Sequence, residues 1–246
     1  MRLLRVFGGI MLLTVVFLWG TRTWTDGQSG LITFWEGLWG DVNFRDAGLS
    51  LNQCLGYDSF HPGIVGRASR YFSGWSCAEV GKPDRIVTLN FRPKDAFAYY
   101  CRDDFGGKVV GVHYNESFEF SDIEAVDQWQ RPEFRAAICQ TLDKIFDEVG
   151  AGRRVLIHCD AGRDRTGTVV TIVAAAAAQA RGLDMDAVTR AIECDYRKSR
   201  SLVPEKYGRM SLFLRSLGPD GMLGFLERQC SIPRAKISRA AAAWAA

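Results

Sequence analysis

Residues 155–167 have the sequence VLIHCDAGRDRTG, and this stretch determines the fold that we predict. The run 155–158 is uncharged and rich in branched side chains, which is typical of a strand buried on both faces. Cys159 ends this run, Gly162 lies in a short loop, and Thr166 begins an apolar stretch of helical length. The segment therefore predicts a buried strand, a tight loop and a helix, in that order.

The surrounding sequence repeats the alternation of strand and helix. Two further β-branched runs, 86–90 and 109–113, predict strands. The stretch 132–149 has apolar residues at spacings of three and four, which predicts a helix, and a second helix is expected over 166–181. This alternation predicts an α/β domain with a central, mainly parallel sheet that is flanked by helices.

The composition is that of a globular protein and gives no sign of a nucleic-acid partner. Hydrophobic residues make up 47% of the 246 residues and charged residues 24%, which excludes disordered, collagen-like and coiled-coil chains. The net charge is only +3. Residues 196–246 nevertheless carry ten Lys/Arg and three Asp/Glu. This basic C-terminal helical region is expected either to meet an anionic lipid or phosphorylated ligand, or to be an ordinary solvated face.

The seven cysteines are odd in number and include no pair spaced as CxxC. This pattern argues against a metal cluster. The chain is also long enough to bury a core without covalent crosslinks, so we do not predict a disulfide scaffold. An odd number leaves at least one thiol free.

The N-terminus predicts a membrane anchor or a signal sequence over residues 1–24. An apolar run of fourteen residues, 6–19, follows Arg2 and Arg5, and no small-residue cleavage site follows it. Residues 25–42 are interpreted as a linker and 43–246 as the main domain. The positive-inside rule then places that domain on the non-cytoplasmic side of a membrane.

The loop after the predicted strand has the features of an anion site. Loop amides and the positive end of the following helix would face a bound anion, and their field favours the thiolate form of Cys159. Arg165 lies six positions further on, and its planar guanidinium matches two phosphate oxygens. Gly162 allows close backbone approach, and Thr166 could donate a hydroxyl hydrogen bond to the thiolate.

A second cysteine–arginine pair with the same spacing provides a control within the chain. Cys194 and Arg200 are also six residues apart, in the sequence CDYRKSR. That segment contains no glycine and follows an amphipathic helical stretch. Because a helix cannot wrap around an anion, we interpret the second pair as coincidence.

The segment HCDAGRDRTG resembles the signature loop of the cysteine-dependent protein tyrosine phosphatase superfamily, in particular its bacterial dual-specificity and lipid-directed members. Weaker similarities extend through Asn43-Phe44-Arg45-Asp46 and the runs 63–70 and 87–92. The resemblance implies that Cys159 is the nucleophile and Arg165 the phosphate-binding arginine. It further implies that phosphate is bound by the remaining loop residues, which are Asp160, Ala161, Gly162, Arg163 and Thr166.

The resemblance implies a two-step hydrolysis through a phosphocysteine, without metal or cofactor. A leaving alkoxide needs a proton donor, for which three aspartates are candidates. Asp164 lies inside the loop, where myotubularin-like loops have their acid. Asp127 is 32 residues before Cys159, a location comparable to that of the acid in most dual-specificity phosphatases, and Asp122 lies nearby.

The expected substrates are phosphotyrosine or phosphoserine/threonine proteins, or a phospholipid such as a phosphoinositide. Arg163 adds a cation to the loop, which favours a substrate with more than one anionic group, while Asp160 and Asp164 partly offset it. Two alternatives remain open, a non-catalytic phosphate-binding module and a sulfur- or arsenate-handling enzyme. A P-loop nucleotidase is excluded because the loop lacks Gly-Lys-Ser/Thr.

Overall fold

The structure is a computed structural model that describes residues 42–89, 99–110, 122–200 and 202–246. Val42–Ala246 form one compact unit. Its four-stranded sheet has the order β1-β2-β6-β3, and a separate pair is formed by β4 and β5. The strands are β1 (Arg45–Asp46), β2 (Val65–Ser69), β3 (Arg85–Thr88), β4 (Tyr100–Arg102), β5 (Lys108–Val110) and β6 (Val155–Cys159).

The main sheet brings three strand ends to one edge. β2, β6 and β3 are parallel, with Ser69 opposite Cys159 and Thr88 opposite His158, whereas β1 is antiparallel to β2. All five residues of the central strand β6 are buried. The mainly parallel sheet flanked by helices is therefore confirmed, and its carboxyl edge is where open α/β sheets bind ligands.

Seven α-helices are described along the chain. They are α1 (Ala47–Leu55), α2 (Pro132–Gly150), α3 (Asp164–Ala180), α4 (Met185–Arg197), α5 (Arg209–Ser216), α6 (Gly221–Cys230) and α7 (Arg234–Ala243). The larger core takes in Ile157 and Cys159 from one face of β6, while Leu156 belongs to a smaller core on the other face. The alternation of side chains along the strand thus directs Cys159 toward the main helical layer.

Helix α3 is the centre of that layer. Residues 174–178 are five consecutive alanines, and all are buried. Because alanine side chains are small, α4, α6 and α7 pack closely around α3. This packing fixes the axis of the helix whose N-terminus meets the Cys159 loop, which we define as residues 159–165.

One predicted strand lies in a different place. The run 109–113 was expected in the parallel sheet, but Lys108–Val110 pair antiparallel with Tyr100–Arg102. A β-branched run indicates a strand but not its partner, and the turn at Gly106 (φ 78°) favours a local hairpin. Residues 111–113 lie outside the described residues.

The expectation of no disulfide scaffold is wrong. Three disulfides join Cys54 to Cys194, Cys77 to Cys101 and Cys139 to Cys230, across separations of 140, 24 and 91 residues. Partners this distant in sequence are brought together by tertiary packing, which spacing alone does not reveal. The expectation of at least one free thiol is confirmed, because Cys159 is unpaired and buried.

The predicted membrane anchor lies within residues 1–41, outside the described residues. Among the described parts of the chain, no helix is both long and apolar enough to cross a membrane. Four cations of the basic C-terminal region form ion pairs with carboxylates. The pairs are Arg209 with Glu124, Arg228 with Asp220, Arg234 with Glu227 and Lys236 with Asp143.

Candidate active site

The Cys159 loop connects the end of β6 to the start of α3 at Asp164. Gly162 has a φ of +67°, and a Cβ at this position would lie 2.5 Å from the carbonyl carbon of Ala68. The loop therefore needs glycine both for its left-handed backbone and for its close approach to the end of β2. This double requirement fixes the curvature of the loop.

The carbonyl groups of the loop are turned outward, toward the protein. Asn43 Nδ2 donates to the Ala161 carbonyl at 2.9 Å, and Arg67 Nη2 donates to the carbonyls of Gly162 and Arg163 at 3.0 and 3.2 Å. Carbonyls held on the outer side leave the amides for the inner side of the curve, where they form a concave anion-binding surface. The first-turn amides of α3 add further donors, because helical amides there have no intrahelical partner.

The arginine behind the loop belongs to a buried charge network. Arg67 is fully buried and donates to Asp195 Oδ2 at 2.6 Å, while Arg45 Nε lies 3.2 Å from Asp195 Oδ1. Burial alone would raise the pKa of Asp195, but the two arginines outweigh burial and lower it. Burial and the charge of Arg67 lower the pKa of Arg45 to about 10. The network therefore supports the loop with one carboxylate between two guanidinium groups.

The thiol of Cys159 lies at the base of the curved loop and is 3% exposed. The Gly162 amide donates a hydrogen bond to its Sγ at 3.2 Å. His158, beside it, is buried between the rings of Phe72 and Tyr99, and its Nε2 lies 2.7 Å from Thr88 Oγ1. His158 thus ties the end of β6 to β3.

The hydroxyl of Thr166 does not make the hydrogen bond to Cys159 that the sequence predicts. Thr166 is fully buried, yet its Oγ1 has no hydrogen-bond partner among the described residues, so the predicted bond to Cys159 is not formed here. A buried hydroxyl without a partner costs about 1–3 kcal/mol. The Thr166 hydroxyl is therefore available to donate a hydrogen bond to a thiolate or to an anion oxygen that enters the loop.

Arg165 is held at the rim of the loop by two contacts. Its Nη1 donates to the Leu89 carbonyl at 2.9 Å, and its Nη2 lies 3.0 Å from Asp160 Oδ2. Asp160, which was expected to contact substrate, thus orients the arginine. The other oxygen of Asp160 pairs with Arg70 at 3.2 Å.

Asp164 is held by two partners at the start of α3. Tyr196 donates to its Oδ1 at 2.7 Å, and Lys206 Nζ lies 2.9 Å from its Oδ2. Burial alone would raise the pKa of Asp164, but the charge and hydrogen bond of Lys206, together with Tyr196, hold it below its usual range. A Cβ on Gly167 would lie 2.8 Å from the Tyr196 ring, so this glycine allows α4 to reach the aspartate.

The other two candidate acids lie in a surface groove. Asp122 and Asp127 are both exposed, and Asp122 lies 3.6 Å from Arg209. They line an open groove between the 3₁₀ helix Val126–Gln130 and α5, to which no residue of the Cys159 loop contributes. Of the three aspartates, only Asp164 adjoins Arg165.

Arg163 does not lie at the open mouth of the loop, where a second substrate-binding cation was expected. It is 1% exposed in the structure, and Ala161 is 5% exposed. The charge of Arg163 also contributes to lowering the pKa of Asp164.

Several residues of the site were missed in the sequence, namely Arg67, Arg70, Asp195, Tyr196 and Lys206. For Arg67 a signal was present, because a charged residue in the middle of the otherwise uncharged strand VGRAS needs a buried partner. That partner, Asp195, is 128 residues away. No local pattern indicated the remaining residues.

A buried free cysteine, outward-turned carbonyls and an arginine at the rim define a cysteine-based anion site on an α/β sheet. Comparison with known proteins shows which proteins the chain is similar to. A model of the tyrosine phosphatase family matches residues 117–237, which include the whole Cys159 loop. Over 85 residues, the chain is also 36% identical to the triple specificity protein phosphatase PtpB of Mycobacterium tuberculosis.

The matched segment is 35% of this chain and spans only 28% of the length of that relative. Together with the family match, it confirms the resemblance to the cysteine-dependent tyrosine phosphatase superfamily.

Proposed function

We propose that the protein hydrolyses phosphoric monoesters with Cys159 as the nucleophile. The observation that carries this proposal is the position of the single unpaired thiol. Cys159 lies at the base of a loop whose carbonyls are bound by Asn43 and Arg67, with Arg165 at the rim. Nucleophile and charge-stabilising donors are thus supplied by one short segment.

The reaction proceeds in two balanced steps. In the first, the Cys159 thiolate attacks phosphorus, the S–P bond forms, and the P–O ester bond breaks as the leaving oxygen takes a proton from the acid. In the second, water attacks phosphorus, the S–P bond breaks, and the water proton passes to the group that acted as acid. The products are an alcohol or phenol and inorganic phosphate, and the thiolate is restored.

The loop stabilises the charge that accumulates on the equatorial phosphoryl oxygens. Inward-facing amides and the guanidinium of Arg165 supply donors that are already in place before substrate binds. Asp160 and the Leu89 carbonyl hold Arg165 at this position. The Thr166 hydroxyl, buried and without a partner among the described residues, can donate to the departing thiolate in the second step.

We assign the proton donor to Asp164, because it is the one candidate that adjoins Arg165. In the free protein the lowered pKa of Asp164 leaves it ionised near neutral pH. An acid must be protonated to act, so the rate is expected to be greatest at acidic pH. Dianionic phosphate in the loop would in turn raise the pKa of Asp164 by charge repulsion.

The substrate class is assigned to phosphoproteins. The matched relative is named as a triple specificity protein phosphatase, which supports activity on phosphorylated proteins. A phospholipid is less well supported, because four of the C-terminal cations that would attract a lipid surface are engaged by carboxylates.

The three disulfides support a location in an oxidising compartment, as the charge asymmetry of the N-terminus also suggests. Burial of Cys159 shields the reactive thiol there from oxidation. An alkaline phosphatase reporter fused after Ala246 tests the topology. An inactive reporter would contradict export of the domain.

The decisive experiment measures hydrolysis of an aryl phosphate by the wild type and by Cys159→Ser. Loss of turnover with retained binding of inorganic phosphate would support the enzyme. Unchanged turnover would refute Cys159 as nucleophile. Release of product from thiosulfate or arsenate, without vanadate inhibition, would favour the sulfur- or arsenate-handling alternative.

A further inference from the structure

A second guanidinium stands beside the Cys159 loop and has no part in the hydrolysis described above. Arg70 is the first residue after β2, and the preceding Ser69 lies opposite Cys159 in the sheet. The Arg70 amide donates to the Asp160 carbonyl at 3.1 Å. Arg70 is thus fixed at the carboxyl edge of the sheet, next to the nucleophile.

The carboxylate of Asp160 joins this arginine to the phosphate-binding arginine. Its Oδ1 lies 3.2 Å from Arg70 Nη1, and its Oδ2 lies 3.0 Å from Arg165 Nη2. Two guanidinium groups therefore share one carboxylate, which leaves a surplus positive charge at the rim. The side chain of Arg70 is 40% exposed, against 19% for Arg165, so Arg70 is the more accessible of the two.

The orientation of Arg70 is set by the next residue. The guanidinium stacks over the ring of Tyr71 at 5.2 Å, and its Nη2 donates to the Tyr71 hydroxyl at 3.3 Å. A stacked arginine loses less side-chain freedom when it binds a carboxylate, because its planar fork is already oriented. Half-exposed ion pairs contribute little to folding, so this one can exchange partners at small cost.

We propose that Arg70 determines specificity by binding the carboxylate of an acidic residue adjacent to the phosphorylated residue of a peptide. This inference rests on the proposed phosphatase function. One surplus charge suits a single carboxylate. A headgroup with several phosphates would require several cations, and four of the C-terminal cations that could supply them, Arg209, Arg228, Arg234 and Lys236, are already ion-paired.

The opposite edge of the same sheet offers a matched control. Arg154 and Asp84 form an Arg–Asp pair at 2.8 Å, just before β6 and β3 begin. The side chains of Arg154 and Asp84 are 42% and 39% exposed, which is close to the 40% of Arg70 and the 30% of Asp160. The two pairs share chemistry and solvent access, but only Arg70–Asp160 adjoins the loop.

The test uses two phosphotyrosine peptides that differ only in Glu or Gln beside the phosphotyrosine. The readout is the ratio of their kcat/KM values, so any uniform loss of activity cancels. The wild type is expected to prefer the Glu peptide by about two- to five-fold at low salt. In Arg70→Gln the ratio falls toward equality, Arg70→Lys retains part of it, and Arg154→Gln keeps it intact.

Three results would overturn the inference. The first is an Arg70→Gln variant that keeps the wild-type ratio. The second is a ratio lost equally in Arg154→Gln, which would assign the effect to general surface charge. The third is faster turnover of a phosphatidylinositol monophosphate in phosphatidylcholine vesicles than of either peptide, lost in Arg70→Gln, which would assign the site to a lipid headgroup. Activity retained in Cys159→Ser would instead refute the proposed function itself.

Discussion

Two segments of this chain have a cysteine six residues before an arginine, and they have opposite roles in the fold. Cys159 ends a buried strand and stays a free thiol that accepts a hydrogen bond from Gly162. Cys194 lies within helix α4 and forms a disulfide with Cys54. In the first segment a left-handed glycine curves the backbone at the end of the strand. In the second, helical hydrogen bonds consume the same backbone donors.

The difference shows that a cysteine six residues before an arginine forms an anion site only where the backbone between them has a suitable conformation. The second segment nevertheless supports the first. Asp195, next to Cys194, anchors Arg67, and Arg67 binds two carbonyls of the Cys159 loop. One segment is thus the proposed catalytic loop, and the other is part of its scaffold.

The largest difference in activity is expected between replacement of Cys159, the proposed nucleophile, and replacement of Cys194, which forms a disulfide. Cys159→Ser is expected to lower kcat on an aryl phosphate by about 10³-fold or more, because an alcohol is a far poorer nucleophile at neutral pH. The double variant Cys54→Ser/Cys194→Ser should keep most of the activity at low temperature. Comparable losses in both would remove the distinction between the segments.

Substitution of Arg165 should lower activity far more than substitution of Arg200, the arginine of the second segment. Arg165→Lys is expected to lower kcat/KM by about 10²-fold, since a point charge cannot replace a bidentate fork on the phosphoryl oxygens. Arg200 is exposed, and Arg200→Lys should stay within about twofold of wild type. Steady-state kinetics on one substrate measures both, and a large loss in Arg200→Lys would contradict the assignment.

Removing the charge of Asp195 should destabilise the domain by about 3–5 kcal/mol, because Arg67 and Arg45 would be left buried without a carboxylate. Denaturant unfolding of Asp195→Asn measures this. Because folding lowers the pKa of Asp195, the wild-type contribution is complete above the ordinary value of 3.8 and is lost as the pH falls through the lower folded value. A variant as stable as wild type at neutral pH would show that the network is dispensable.

Opening the disulfide between Cys54 and Cys194 should cost less, about 2–4 kcal/mol. The expected loss arises because the crosslink restricts the unfolded chain between residues 140 apart in sequence. The Cys54→Ala/Cys194→Ala variant is compared with the wild type under oxidising and reducing conditions. Equal midpoints of unfolding for the two proteins under oxidising conditions would contradict the crosslink.

The smallest expected effect is a shift in the pH dependence of the rate. Lys206 helps to lower the pKa of Asp164, so Lys206→Met should raise that pKa and move the descending limb of the kcat/KM profile to higher pH. Asp127→Asn, as a control, should leave the limb in place. If the limb instead disappears in Asp127→Asn and does not move in Lys206→Met, Asp127 is the acid and Asp164 is structural.

The sequence alone determined the strand, loop and helix around Cys159 and the mainly parallel sheet. These follow from local rules, namely runs of β-branched residues, helical periodicity and a glycine in the turn. The discrimination between the Cys159 and Cys194 segments was also available locally, because a glycine and a strand end can be recognised over a few residues.

Only the tertiary structure decided the disulfide pairs, the network behind the loop and the state of Asp164. Arg67 meets Asp195 across 128 residues, and Lys206 meets Asp164 across 42. Such contacts depend on how α3, α4 and the sheet pack together, and no short-range pattern encodes them. Burial then sets the electrostatics, since a carboxylate changes its pKa according to which charges packing brings within a few ångströms.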